Sequence, residues 1–232
     1  MKITTPTQID TIAWEGTLEP LGAAFRSATV PPRVTLGAPV WWPAEEALDV
    51  KMGEKWAPPA GGHRYTLVRL ACTLHPPGDT HTRYTGVTLH TYLRPHRGAA
   101  AVVAHDLYPQ RLTVDTKDKG TFTLGPSLKF GEAELSLLGI GAEIEIPWAF
   151  PVIEGHGLGE SAPYWRFLPH TGRPLSGCQS VYMVIAAPES AGGVRLCVEL
   201  VADVETRYGL FRAGLSDMAK AHACTVVGNG TG

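Results

Sequence analysis

The sequence predicts an all-β fold, a two-layer antiparallel β-sandwich or jelly-roll-like arrangement of about ten strands. Three observations carry this. Runs of alternating apolar and polar residues recur from residue 64 to residue 206, which is the period of a half-buried strand. The 26 glycines and 19 prolines make up about a fifth of the chain against the usual ~12%, and they fall where tight turns would join those runs. Only two stretches carry helical signals, near 44–52 and near 210–223.

The first strand candidate is Thr11–Glu19. Segment 20–63 then departs in composition, with Pro20, Pro31, Pro32, Pro39, Pro43, Pro58 and Pro59 beside Trp41, Trp42 and Trp56. Flexible linkers do not carry three tryptophans, so it reads as an ordered excursion. Inside it, Pro43 and Gly53 bracket a short helix at 44–52 in the expected order of proline at the start and glycine past the end. Arg64–His75 and Thr82–Leu93 follow as a hairpin through Pro77-Gly78-Asp79-Thr80. Pairing Val68 with Leu89 and Leu70 with Val87 gives one apolar face. The other face holds Tyr65, Leu67, Arg69, Tyr84, Thr88, His90 and Tyr92.

Ala100–Tyr108, Arg111–Asp115, Thr121–Phe130, Glu132–Leu138, Ala142–Trp148 and Tyr164–Leu168 read as further strands. A second hairpin joins Gln179–Ala187 to Val194–Thr206, with Met183 opposite Val198 and Ile185 opposite Leu196. Its second face carries Tyr182, Val184, Cys197, Glu199 and Val201, half of it apolar. The last element is a helix at 210–223 with Leu215, Met218, Ala219 and His222 on one stripe. Alternation runs on without a linker-like break, so residues 1–232 read as a single domain, with the excursion at 20–63 and a helical tail at 207–232.

Composition narrows the function classes. Apolar residues make up 44% and charged residues 18% of the 232, which excludes a disordered tail and a coiled coil. A net charge of −2 excludes a generally basic nucleic-acid binder. Roughly 70% of the unfolded surface of such a chain can be buried, so the core needs no metal or disulfide. The N-terminus has no apolar signal region, and AAAVVA and VYMVIAA fall far below the ~20 residues of a membrane helix. The expected location is therefore cytoplasmic, with no transmembrane segment. There Cys72, Cys178, Cys197 and Cys224 serve as small hydrophobes, since none forms a C-x-x-C pair.

Candidate chemistry is sparse. Six of the nine histidines lie between His63 and His105, but the hairpin separates their two ends by ~30 Å. That leaves two small groups, His75/His81 and His63/His96, the latter near His105 and Asp106. The densest run is Glu154-Gly155-His156-Gly157-Leu158-Gly159-Glu160-Ser161. Glu154 and His156 share a face of an extended chain, and Glu160 folds back to complete a carboxylate–histidine–carboxylate set. In outline this resembles the H-x-H-x(3,4)-E metal motif of cupins, with Glu154 in the first histidine's place. The motif's later glycine is Phe167 here, and no second motif follows. The resemblance implies a divalent metal held by Glu154, His156 and Glu160. No nucleophile elbow, Walker A loop or H-E-x-x-H is present. Asp115–Gly120 reads as a solvated turn rather than a calcium loop.

The leading expectation is a non-enzymatic binding or assembly module, a subunit or adaptor that self-associates or takes a protein partner, with no nucleic acid and no cofactor. Its binding candidates are Tyr84, His90 and Tyr92 on the open hairpin face and the adjacent Trp41 and Trp42. An enzyme is disfavoured, and the cupin-like metal enzyme is the alternative. A sugar-binding module and a pore-forming protein are further alternatives. Thr121–Ile146 alternates as a membrane hairpin does, though nothing marks a lipid face about 10 residues long.

Overall fold

A computed structural model describes residues 2–3, 11–21, 31–51, 54–114, 120–124, 128–129, 152–169 and 175–228. In chain order the elements are β1 (Lys2–Ile3), β2 (Ile12–Thr17), β3 (Glu19–Pro20), β4 (Arg33–Gly37), β5 (Val40–Pro43), α1 (Ala44–Ala47), β6 (Leu48–Lys51), β7 (Glu54–Lys55), β8 (His63–Leu74), β9 (Arg83–Pro95) and β10 (Val103–Tyr108). They continue with β11 (Arg111–Val114), β12 (Gly120–Leu124), β13 (Leu128–Lys129), β14 (Val152–His156), β15 (Tyr164–Leu168), β16 (Gly177–Pro188), β17 (Val194–Thr206), β18 (Gly209–Gly214), α2 (Asp217–His222) and β19 (Cys224–Val227). The fold is all-β, as the alternation predicts. One sheet runs β10-β16-β8-β4-β2 with β5 also on β8, and the other runs β13-β12-β11-β14-β15-β9-β17-β18-β3 with β19 also on β17. A small third sheet is β1-β6-β7.

Both expected hairpins are corrected. β8 pairs along its whole length with β16, so Val68 lies beside Met183 and Leu70 beside Val181. β9 pairs with β17, so Leu89 lies beside Leu200 and Leu93 beside Leu196. Each sequence-adjacent pair is thus an arch that steps from one sheet to the other. Alternation cannot separate the two cases. Val68, Leu70, Val87 and Leu89 must share one interior, and they do so side by side in a hairpin or face to face across a sandwich. Eight connecting residues, 75–82, easily cross the ~10 Å between packed sheets. In that connection the Asp79 carboxylate accepts from the His81 and Thr82 amides at 2.8 and 2.7 Å and from the Thr82 hydroxyl at 2.8 Å.

Between the sheets lies one continuous core that includes Leu36, Val68, Leu70, Leu89, Trp165, Phe167, Met183, Ile185, Leu196, Val198 and Leu200. Each such side chain contributes roughly 1.5–3 kcal/mol by leaving water. β16 is buried on its other face too. Tyr182, Val184 and Ala186 join Tyr65 and Leu67 in a second cluster closed by Trp42, Ala44, Ala47 and Leu48. The Pro/Trp-rich excursion is therefore the cover of the smaller sheet. This answers the half-apolar stripe seen in the sequence: the excursion covers its Tyr182 and Val184, and the C-terminal helix does not. Trp41 and Trp42 pair with Val68 and Leu67 on β8, and they divide between the two clusters rather than forming one exposed tryptophan surface.

Both helices are shorter than their signals. After α1 the chain turns into β6, and residues 209–214 form β18 with Phe211 and Ala213 inward. Leu215 and Ala219 are buried, but Met218, expected on the same stripe, is exposed. β14, β18 and β19 were not among the expected strands. β14 occupies part of what reads as a glycine-rich crossover. Thr121–Phe130 appears as β12 and β13, while Glu132–Leu138, Ala142–Trp148 and most of the Asp115–Gly120 turn lie outside the described residues. No helix among the described residues is long and apolar enough to cross a membrane.

The cysteine reading is corrected as well. β19 folds back onto β17 with Cys224 directly opposite Cys197, and the two form a disulfide with a sequence separation of 27. A loop of that size stabilises by roughly 3–4 kcal/mol through the unfolded chain. Cys72 is buried and free, and burial pushes its thiol up to about 12; Cys178 is exposed and free.

The covered face gives a direct test. Val184→Asp should be as damaging as Val198→Asp, because each places an unpaired charge in a closed cluster. Expression yield and thermal melting report this, and a Val184→Asp protein that melts at the native temperature would show the excursion does not seal that face.

Candidate functional site

Among the described residues, the outer face of the larger sheet has no such cover. Strand register brings four residues there into one row across adjacent strands. His156 on β14 is opposite Tyr164 on β15, Tyr164 is opposite His90 on β9, and His90 is opposite Glu199 on β17. Their rings are in contact: His156 stacks on Tyr164 at 4.8 Å and 22°, and His90 leans on Tyr164 at 5.4 Å and 37°. Such cross-strand pairs each contribute a few tenths to about 1 kcal/mol.

The Glu199 end is polar. The Tyr92 hydroxyl donates to Glu199 Oε2 at 3.1 Å, and Lys220 Nζ of α2 lies 2.8 Å from Oε1. Ser216 caps that short helix, its hydroxyl accepting from the Ala219 amide at 3.2 Å. The next row runs Glu154, Arg166, Thr88 and Val201. Glu154 Oε2 stands 3.9 Å from His156 Nε2.

The charges are mutually adjusted. Burial would raise the Glu199 carboxyl, but hydrogen bonds from Lys220 and Tyr92 and the charges of Lys220 and His90 hold it below its ordinary value. Its hydrogen bond to Glu199 raises Lys220 in turn. Burial lowers His90, against the pull of Glu199 and with the push of Arg212. The face is a row of packed rings ending in a satisfied carboxylate.

His90 and Tyr92 therefore lie on the open face as expected. Tyr84 does not. A bulge at Thr85 shifts the register between Gly86 opposite Asp203 and Tyr84 opposite Val204. That reverses the alternation and turns Tyr84 into the core, where its hydroxyl donates to the Arg33 carbonyl at 3.0 Å. Glu154 and His156 arrive on the same face as His90 and Tyr92, so two separate sequence candidates become one site. Glu160 does not join them. It sits in the loop 157–163, which ties the sheets together: Thr91 and Leu93 of β9 donate to the carbonyls of Pro163 and Ser161, and Ala104 of β10 donates to that of Glu160. Gly157 is fixed there by φ +85°, and a Cβ would come within 2.8 Å of Pro163 Cα.

Among the described residues no group of three His, Cys, Asp or Glu is placed to hold a metal ion. His75 Nε2 is hydrogen-bonded to Thr35 Oγ1 at 2.8 Å, His63 Nδ1 to the Gly61 carbonyl at 2.8 Å, and His105 packs edge-on against Trp56 and Tyr65. Asp106 accepts from the Tyr108 hydroxyl, and burial raises its carboxyl. Sequence reasoning missed Tyr164 and Lys220. The available signal for Tyr164 was the Gly157 and Pro163 pair flanking a turn between two extended runs.

No family model matches the chain, and no curated protein matches its sequence. Solved structures resemble it only distantly, at low identity and low TM-score. One, described as a pore forming protein, has 6% identity and a TM-score of 0.35, covering 83% of this chain and 84% of its own. The Clostridium perfringens NetB toxin in its membrane inserted form has 9% identity and a TM-score of 0.35, over 94% of this chain and 99% of its own. Clostridium perfringens delta-toxin has 8% identity and a TM-score of 0.37, over 88% and 99%. At these scores the likeness does not establish a common fold.

The lowered His90 has a sign that can be tested. Its folded value lies below the unfolded ~6.5, so the stability it confers is fully present above that pH and is lost as pH falls through the window just beneath. His90→Gln should flatten the fall in stability between about pH 7.5 and pH 5. Equal slopes in urea titrations of the two proteins would show that His90 is not held in this environment.

Proposed function

We propose that the chain is a non-enzymatic subunit that self-associates, and that the span between β11 and β14 is what it contributes to a membrane pore. One topological observation carries this reading. β11 and β14 are hydrogen-bonded neighbours, Arg111 opposite Glu154 and Leu112 opposite Ile153. β12 and β13 extend the sheet beyond β11, so residues 130–151 connect that edge of the sheet back to β14 on the other side of β11. The sequence of that span alternates, with Ala133, Leu135 and Leu137, then Ala142, Ile144 and Ile146, set against Glu134, Ser136, Glu143 and Glu145. In an extended chain this separates an apolar from a polar face. The alternating runs cover 133–137 and 142–146, each about half of the roughly 9–11 residues of a membrane-barrel strand.

A single hairpin cannot stay in lipid, because its two edges leave backbone groups unpaired. Closure takes several copies, so the assembly reading and the pore reading are one proposal. The absence of nucleophile, phosphate-loop and H-E-x-x-H signatures supports the non-enzymatic part, as does the His156–Tyr164–His90–Glu199 row, whose carboxylate Glu199 is already engaged by Lys220 and Tyr92.

Dye release from phosphatidylcholine–cholesterol liposomes, with native-mass or sedimentation analysis of the recovered protein, tests this. Release and a defined oligomer are expected. Ile144→Lys should cut release at least tenfold with an unchanged melting temperature, since a lipid-facing lysine costs about 2–4 kcal/mol at the bilayer midplane. A protein that stays monomeric on liposomes without release, or an Ile144→Lys variant that releases normally, would overturn the proposal.

A further inference from the structure

We propose that the Cys197–Cys224 disulfide is a thiol-exchange site that latches the α2–β19 unit onto the sandwich and so holds Lys220 against Glu199, at the end of the ring row. The two cysteines face each other on β17 and β19. Both are half-buried, unlike Cys72, so a dissolved thiol reaches them without unfolding the core.

The unit they hold is lightly attached. Its inward side chains are Leu215, Ala219, Ala223 and Val227, and two of the four are alanines, which remove little apolar area from water. Among the described residues β19 pairs with β17 alone, over Val194–Cys197. Further ties are the Val198 amide to the Ala223 carbonyl at 3.0 Å, Arg64 Nη1 to the Gly228 carbonyl at 2.9 Å, and Lys220 to Glu199. β17 itself depends little on them, because β9 pairs with it from Val194 to Glu205 and β18 from Val201 to Thr206. The latch can therefore open locally while the sandwich stays closed.

The chemistry is a two-electron exchange with a dithiol. One thiolate of the dithiol attacks a sulfur of the bridge, forming a mixed disulfide and releasing the other cysteine as a thiolate. The dithiol's second sulfur then closes its own disulfide and releases the second cysteine. The bridge gains two electrons, the dithiol loses two, and its two protons end on Cys197 and Cys224. Release of α2 withdraws Lys220 from Glu199 and leaves the carboxylate with Tyr92.

The full-length chain can be treated with dithiothreitol, alkylated, and followed by mass spectrometry and hydrogen exchange. Alkylation should mark Cys178 alone before treatment, with Cys197 and Cys224 added after it. Amides in 217–227 should lose at least tenfold protection, while those of β8 and β16 keep theirs. The Cys197→Ser/Cys224→Ser double variant should give the same exchange pattern without reductant. Unchanged protection in 217–227 would overturn the latch. So would equal loss in β8 and β16, or a double variant that does not fold, because the bridge would then be a staple of the whole fold. None of these readouts involves a membrane, so the result stands apart from pore formation.

Discussion

The pairing of β8 with β16 and of β9 with β17 is the constraint on which the rest of the molecule depends. These are the long strands, and each ladder runs nearly their whole length, from His63 opposite Pro188 to Leu74 opposite Gly177 and from Val194 opposite Pro95 to Glu205 opposite Arg83. Because sequence neighbours step across the sandwich, each ladder is closed only when distant segments meet. The cost is loop entropy, and the return is a core fed from both sheets at every second residue. Once the two ladders stand, the remaining strands are additions to their edges, and the two outer faces become separate questions with different answers.

The smaller sheet answers by covering itself. β16 is apolar on both faces over Val181–Ala187, a pattern that fits a strand with packing on each side. Trp42 and α1 supply the packing on the outer side. The larger sheet answers with a polar surface, where rings pack against rings and Glu199 is matched by Lys220. The chain itself hides the stripe of Tyr182 and Val184, and recognition on the larger sheet's outer face would rest on shape and hydrogen bonding rather than on apolar area.

What the sequence made legible follows from this division. Alternation marked β8, β9, β15, β16 and β17, and it assigned Val68, Leu89, Met183 and Leu196 to the interior, because burial has a period of two whatever the topology. Strand partners were not legible, since an arch and a hairpin satisfy the same alternation. One extra residue, Thr85, was enough to send Tyr84 the wrong way. The site was half legible. His90, Tyr92, Glu154 and His156 were all picked out, but in two unrelated groups, because only the order β14-β15-β9-β17 joins them. Cys197 and Cys224 could not be paired from their positions, as nothing in 207–223 announced that the chain would turn back on β17.

β14 connects the two halves of the functional reading. One of its edges is held by β11 and the other by β15, which carries Tyr164. Glu154 is at once the partner of Arg111 on β11 and of Arg166 on β15. His156, two residues on, lies past the β11 pairing and is held by β15 alone, with its ring against Tyr164. A displacement of β11 relative to β14 therefore acts first on Glu154, which shares a strand face with His156 and stands 3.9 Å from its imidazole. β14 is thus the strand that joins β11 to the ring row of the open face.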